Sequence, residues 1–264
     1  MKITLFTSNQ RRHIYLINFL SKLCNHLYVI QENNTIFIGK NHSSFNKSKI
    51  KENYFKKVKE AEKKIFPVNF IDTNKKCKFK LLPIQVGDLN KLNIKDLKDF
   101  LKSDLYVVFG SSFIKGALCS FLLKKKAINI HMGISPYYRG SSCNFWALYD
   151  KNSNLVGSTI HFLNKQIDNG KIIYHAVSEP HKNPFIYSMS AVKSAIHSLK
   201  TRVLNKKLKG IKINKKIIRY SKQKDFTDLK IKKFYKKKIQ IKKFVNDLLH
   251  NKYVLKKKDF YKIY

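Results

Sequence analysis

Short apolar runs alternate with stretches whose apolar residues recur at helical spacing, up to about residue 204. Lys2 to Thr7 is β-rich and ends at the polar pair Ser8-Asn9. Ile14, Ile17, Leu20 and Leu23 then follow at intervals of three, which predicts a helix. Leu27 to Ile30 predicts a second strand, and Ser48 to Phe66 a charged amphipathic helix stopped by Pro67. Asp104 to Phe109 is a mostly apolar run closed by Gly110, the pattern of a strand covered on both faces. Phe113 to Leu123 reads as helix and Ala127 to His131 as strand. This rhythm predicts an α/β protein with a Rossmann-like, doubly wound, mostly parallel sheet. Ligands of such sheets bind at the carboxyl ends of strands, where Gly110, Ser111, Ser112 and His131 fall.

Beyond Gly157 the texture changes. Ser158 to Leu163 and Lys171 to Val177 predict two strands, and Ser188 to Leu204 a long helix. From residue 209 the chain becomes lysine-dominated, with scattered aromatics and one helix-like patch, KKFVNDLLH at 242–250. The division expected is a domain over 1–208 and a basic C-terminal extension over 209–264, too short and too sparse in apolar residues for a core of its own. Whether the extension is ordered is not decided by the sequence. It is expected to lie outside the sheet.

The formal net charge of +39 invites a nucleic-acid reading. The cations are nearly all lysine, however, with arginine only at 11, 12, 139, 202 and 219, and Asn, Ile, Phe and Tyr are abundant too. AT-rich codons write all of these residues. A phosphate-reading surface would add arginine for bidentate contacts, so compositional drift is the preferred explanation. No apolar run approaches the ~20 residues of a membrane span, and the N-terminus does not read as a signal peptide. A soluble, cytoplasmic protein is expected. Cys24, Cys77, Cys119 and Cys143 form no CxxC pair and no cluster with histidine, so free thiols are expected, with no metal site.

The chemistry concentrates between 129 and 170. Asn129 and His131, one residue apart on a strand, project from the same face. The polar loop from Ser135 to Gly140 follows, then an aromatic helix-like stretch over 144–149 whose Phe145-Trp146 reads as core. His161 lies on the next strand, and Asp168 stands in the turn Asp168-Asn169-Gly170, where Gly170 would supply a positive φ. Each feature alone is bland. Together, NIHMGISPYYRG (129–140) and VGSTIHFLNKQIDNGKII (156–173) resemble the formyltransferase family that uses 10-formyltetrahydrofolate, over roughly residues 80 to 180. The loop departs from the family pattern in that Ser135 directly precedes Pro136.

The resemblance implies the formyltransferase fold, 10-formyltetrahydrofolate as formyl donor, and Asn129, His131 and Asp168 as catalytic triad. Attack of an amine on a formyl carbon creates a negative oxygen, which an Asn amide and a protonated imidazole can stabilise. It also creates a positive nitrogen, whose proton a carboxylate can take directly or through water. The same carboxylate would raise the proton affinity of His131. By resemblance the folate lies against Gly110, Ser111, Ser112, Phe113 and Ile114, with the loop bearing Gln166 closing over it. His161 and Arg139 are candidates for supporting the site or contacting substrate. Arg11 and Arg12, at the start of the first helix, stand where a substrate phosphate could be met. The acceptor expected is a small amine, foremost a nucleotide-linked amino sugar. Initiator methionyl-tRNA is the alternative, and a non-catalytic nucleic-acid-binding protein on the same fold is a further one. No membrane partner is expected.

Overall fold

A computed structural model describes residues 1–34 and 48–256. Residues 257–264 of the expected extension, and Lys47 in the basic stretch of the N-terminal part, lie outside the described residues. Strand β1 (Lys2–Ser8) leads into helix α1 (Arg11–Ser21), β2 (His26–Asn33), α2 (Lys49–Ile65), β3 (Lys78–Gln85), β4 (Leu105–Val108), α3 (Gly116–Lys124) and β5 (Ile128–His131). Then come β6 (Tyr138–Gly140), α4 (Cys143–Tyr149), β7 (Ser158–Phe162), β8 (Ile172–Ser178), α5 (Pro184–Arg202), β9 (Arg219–Ser221), α6 (Asp228–Lys236) and β10 (Tyr253–Leu255). Eight strands form one sheet in the order β10-β8-β7-β5-β4-β1-β2-β3. Its pairings are parallel except where β7 runs antiparallel to β5 and β8. The doubly wound, mostly parallel α/β architecture is the one expected.

The alternation of strand side chains builds two cores. Ile3 and Leu5 of β1 face α1 and α5, meeting Leu16, Ile17, Leu20, Val192 and Ile196. Phe6, from the other face, packs with Tyr106, Val108, Leu118 and Leu122. A third cluster around Trp146, Tyr187 and Tyr54 takes in Phe226, Ile231 and Phe234 of the extension. Helix α2 follows its sequence signals: the Ser48 side chain accepts from Lys51 N–H, and the helix ends just before Pro67.

Several elements differ from expectation. The helix expected from Phe113 begins only at Gly116, leaving 113–115 as loop. Strand β3 was not anticipated, because its apolar residues alternate with Lys78, Lys80 and Pro83. The helix-like patch at 242–250 contains only a short 3-10 turn (Asn246–Leu248), while the helix of the extension is α6, capped by Thr227. The extension does not lie outside the sheet. Strand β10 extends it beside β8, because Leu255 is apolar enough to bury fully at that edge.

Candidate active site

A cleft of about 680 Å³ opens at the carboxyl ends of β4 and β5. Its floor is set by strand register. Asn129 lies opposite His161 in the antiparallel β5–β7 pairing, and His131, two residues on, shares their face. Asp168 enters from the turn after β7. It carries the positive φ of that turn (47°) itself, instead of Gly170. Gly170 serves a different need: a Cβ there would stand 1.6 Å from the Phe162 carbonyl oxygen and 2.8 Å from His161 Nδ1. Positive φ is costly for a non-glycine residue, though aspartate tolerates it better than most.

Asp168 is surrounded by donors. Oδ2 accepts from Gly140 N–H (3.1 Å) and lies 3.2 Å from His131 Nδ1. Oδ1 accepts from Asn129 Nδ2 (3.3 Å) and lies 3.7 Å from His161 Nε2. Burial alone would raise this carboxyl, but His131, His161 and the Gly140 amide outweigh it and bring it down to about 2. It is therefore an ionised acceptor throughout the neutral range. His161 Nδ1 donates to the Phe162 carbonyl (2.8 Å), and its Nε2 lies 3.1 Å from Asn129 Nδ2. The Asn129 amide is thus held between a histidine and a carboxylate.

Two influences oppose each other at His131. Burial keeps its imidazole below the ordinary value, with the Asp168 carboxylate pulling the other way. Its Nε2 faces the Tyr138 carbonyl at 3.1 Å while Nδ1 faces Asp168, so both ring nitrogens meet oxygen acceptors. Only the imidazolium satisfies both contacts at once. The geometry thus prepares the ring to take a proton that burial withholds.

The loop between floor and rim is pinned from below. Thr159 Oγ1 donates to Gly133 O (2.6 Å) and accepts from Ser135 N–H (2.9 Å). His175 of β8, fully buried, donates from Nε2 to Ser135 O (2.8 Å) and accepts at Nδ1 from His250 N–H (2.7 Å). Burial lowers this ring to about 4. Cys143 also lines the cleft, but burial and the nearby Asp168 push its thiol well up, so it stays protonated.

The structure gathers Gly110, Ser111, Ser112, Phe113, Ile114 and Gln166 along one cleft wall with the floor residues. Gly110 (φ 75°) cannot carry a side chain, since a Cβ would meet His13 Nε2 at 2.3 Å. Ser112 N–H is already given to the buried Glu32 carboxylate, which also accepts from Gly87 N–H (2.9 Å). Phe113 is exposed, and Ile114 is buried. Arg139 clamps the carbonyl of Ile167, which lines the cleft, and lies over the Tyr220 ring. The arginines of α1 already have protein partners. Arg12 lines the cleft but is paired with the nearly buried Glu62 (3.0 Å), which accepts from its backbone N–H as well, and Arg11 turns to the Val68 carbonyl. A carboxylate from α2 fills the place expected for an anion.

Two contributions escaped sequence reasoning. His13, buried and held well below its ordinary value by burial and by Arg12, forms part of the wall behind Gly110. A lone histidine in a helix gives no signal for this. Residues 220–223 of the extension also line the cleft, their pattern hidden among lysines.

The formyl transferase family profile matches residues 58–207, and the chain belongs to that family. Formyltetrahydrofolate deformylase 1, a mitochondrial protein of Arabidopsis thaliana, is 31% identical over 112 residues. That match covers 42% of this chain but only 30% of the relative's length. A 4-N formyltransferase from Francisella tularensis shares the fold with a TM-score of 0.55 at 22% identity, over 85% of this chain and 77% of its own. A sugar N-formyltransferase from Shewanella superposes with a TM-score of 0.51 at 17% identity, over 86% and 78%. Among the described residues no helix is long and apolar enough to cross a membrane.

Proposed function

We propose that the chain transfers a formyl group from 10-formyltetrahydrofolate to the primary amine of a small molecule, foremost a nucleotide-linked amino sugar. The observation that carries this reading is the Asn129–His131–Asp168 cluster, interlocked on the floor of a cleft in a chain of this family. The amine nitrogen attacks the formyl carbon, and the tetrahedral oxygen takes its negative charge. Asn129 and His131 supply N–H groups for that oxygen, sharing with it hydrogens that otherwise point at Asp168 and the Tyr138 carbonyl. The nitrogen of the intermediate is a far stronger acid than a free amine, so even a weak base such as Asp168 can receive its proton, directly or through water. The C–N bond to the folate then breaks, and the proton ends on the folate nitrogen. Tetrahydrofolate and a formamide are the products.

The match to the deformylase favours one second reading, in which water replaces the amine and formate is released. One experiment separates the two. The protein is incubated with 10-formyltetrahydrofolate, with and without a panel of nucleotide-linked amino sugars, other small amines and charged initiator tRNA. Mass spectrometry then reports the acceptors, and a formate assay reports hydrolysis. A gain of one formyl group on a sugar amine is expected. Rapid formate release with every acceptor unmodified would replace transfer with hydrolysis. Substituting Asn129→Ala or His131→Ala should cut turnover by ~10²–10³, and Asp168→Asn by at least as much. A near-normal Asp168→Asn enzyme would refute the site.

A further inference from the structure

Two of the polar contacts that fix His131 and Asp168 come from a single short strand. Gly140 N–H donates to Asp168 Oδ2, and the Tyr138 carbonyl meets His131 Nε2, both at 3.1 Å. Arg139, between them, donates to the carbonyl of the residue before Asp168. This strand, β6, does not belong to the main sheet. Its partner is β9 of the extension.

The grip of β9 on β6 is close and specific. Ile218 and Arg219 N–H both donate to the Tyr137 carbonyl (2.9 and 3.0 Å), and Ser141 N–H donates to Ser221 O (2.9 Å). Ser221 Oγ donates to Ser141 O (2.6 Å). Gly140, at φ 89°, brings the backbones so near that a Cβ would stand 2.0 Å from Ser221 O. Strand β9 is itself anchored by Arg219, which forms a two-pronged bond with Asp150 (2.9 and 2.8 Å) at the end of α4. Its guanidinium also lies 4.5 Å over the ring of the buried Trp146.

We propose that Arg219 and Ser221 are positioning residues for the His131–Asp168 pair, holding β6 through β9 so that Gly140 and Tyr138 meet those two side chains. A displacement of β6 by about 1 Å would carry both contacts beyond hydrogen-bonding distance. The proposal rests on the reading of His131 and Asp168 as the catalytic pair. It assigns a role to a segment beyond residue 207, where the family match ends. The other titratable or charged groups facing the pair are His161 on β7, Arg139 on β6, Cys143 on α4 and His175 on β8. None of them is altered below.

The test uses Arg219→Lys, Arg219→Met and Ser221→Ala in the full chain. The His131 ring is titrated by NMR in the free protein, and turnover of 10-formyltetrahydrofolate is measured against pH. Both Arg219 variants should shift the His131 midpoint and lower kcat by about tenfold or more, with KM changed by less than about twofold. Lysine shares the deficit because it cannot grip both carboxylate oxygens. Ser221→Ala should shift the same midpoint in the same sense, less strongly. An Arg219→Lys protein with a normal midpoint and normal kcat would overturn the proposal, since charge alone would then suffice. Ser221→Ala keeps every backbone pairing of β9 and decides the matter if the Arg219 variants do not fold; an unmoved midpoint in it is equally fatal. Full activity of Asp168→Asn would instead refute the catalytic reading, while the His131 titration continues to report on β6.

Discussion

Acid should loosen this fold through His175 in particular. The ring is fully buried, donating at one nitrogen to Ser135 O and accepting at the other from His250 N–H, so it has no room for a second proton. Burial holds it at about 4 against an ordinary 6.5. A histidine with a lowered native value binds fewer protons folded than unfolded below pH 6.5, so stability is complete above that pH and falls as pH drops toward 4. At ~1.4 kcal/mol per unit, the loss approaches ~3 kcal/mol at pH 4 and ~2 kcal/mol at pH 5. His175→Gln keeps a donor toward Ser135 and takes up no proton. It should be less stable than the parent at pH 7.5, because a flexible amide does not reproduce the rigid ring's span between Ser135 O and His250 N–H, yet lose ~2 kcal/mol less on going to pH 5. Urea unfolding followed by circular dichroism at the two pH values measures both differences. His131 and His13, also lowered, contribute with the same sign in both proteins and cancel in the comparison. Equal losses in parent and variant would refute the assignment of acid lability to this ring.

Two further outcomes follow from the packing. Gly170→Ala should cost at least ~1–3 kcal/mol in urea unfolding, because its Cβ must push the Asp168 turn away from Phe162; a neutral effect would mean the turn is not held there. Truncation after Gly210 should abolish cooperative unfolding and raise dye binding, because Phe226, Ile231, Phe234 and β10 all leave the core; a truncated protein with a sharp thermal transition would contradict this.

Strands β1, β2, β4 and β5 were legible because they write short, mostly apolar runs, as in Asp104 to Phe109. Helix α2 was legible from Ser48 and Pro67. Asn129, His131, His161 and Asp168 were found through an ordered set of motifs, and register explains why they meet. The failures share a cause. In β3 and in the extension, buried residues are few and separated by lysines, so period-two and period-3.6 patterns are both diluted. Pairings such as Arg12 with Glu62, or Gly110 with His13, join residues far apart in sequence, and local spacing carries no trace of them. The positive φ of the 168–170 turn was misplaced because glycine is the usual host, whereas here it is excluded volume that demands glycine.

The edges of the eight-stranded sheet give the lysine excess a local consequence. Among the described residues β3 is paired only to β2, and it exposes Lys78, Lys80 and Pro83. Proline cannot donate to a further strand, and lysines brought against a second copy would repel each other. The opposite margin, β10, is only three residues long. Among the described residues neither border offers a long flat template for edge-to-edge growth, so pairing of copies through the sheet's own strands is disfavoured.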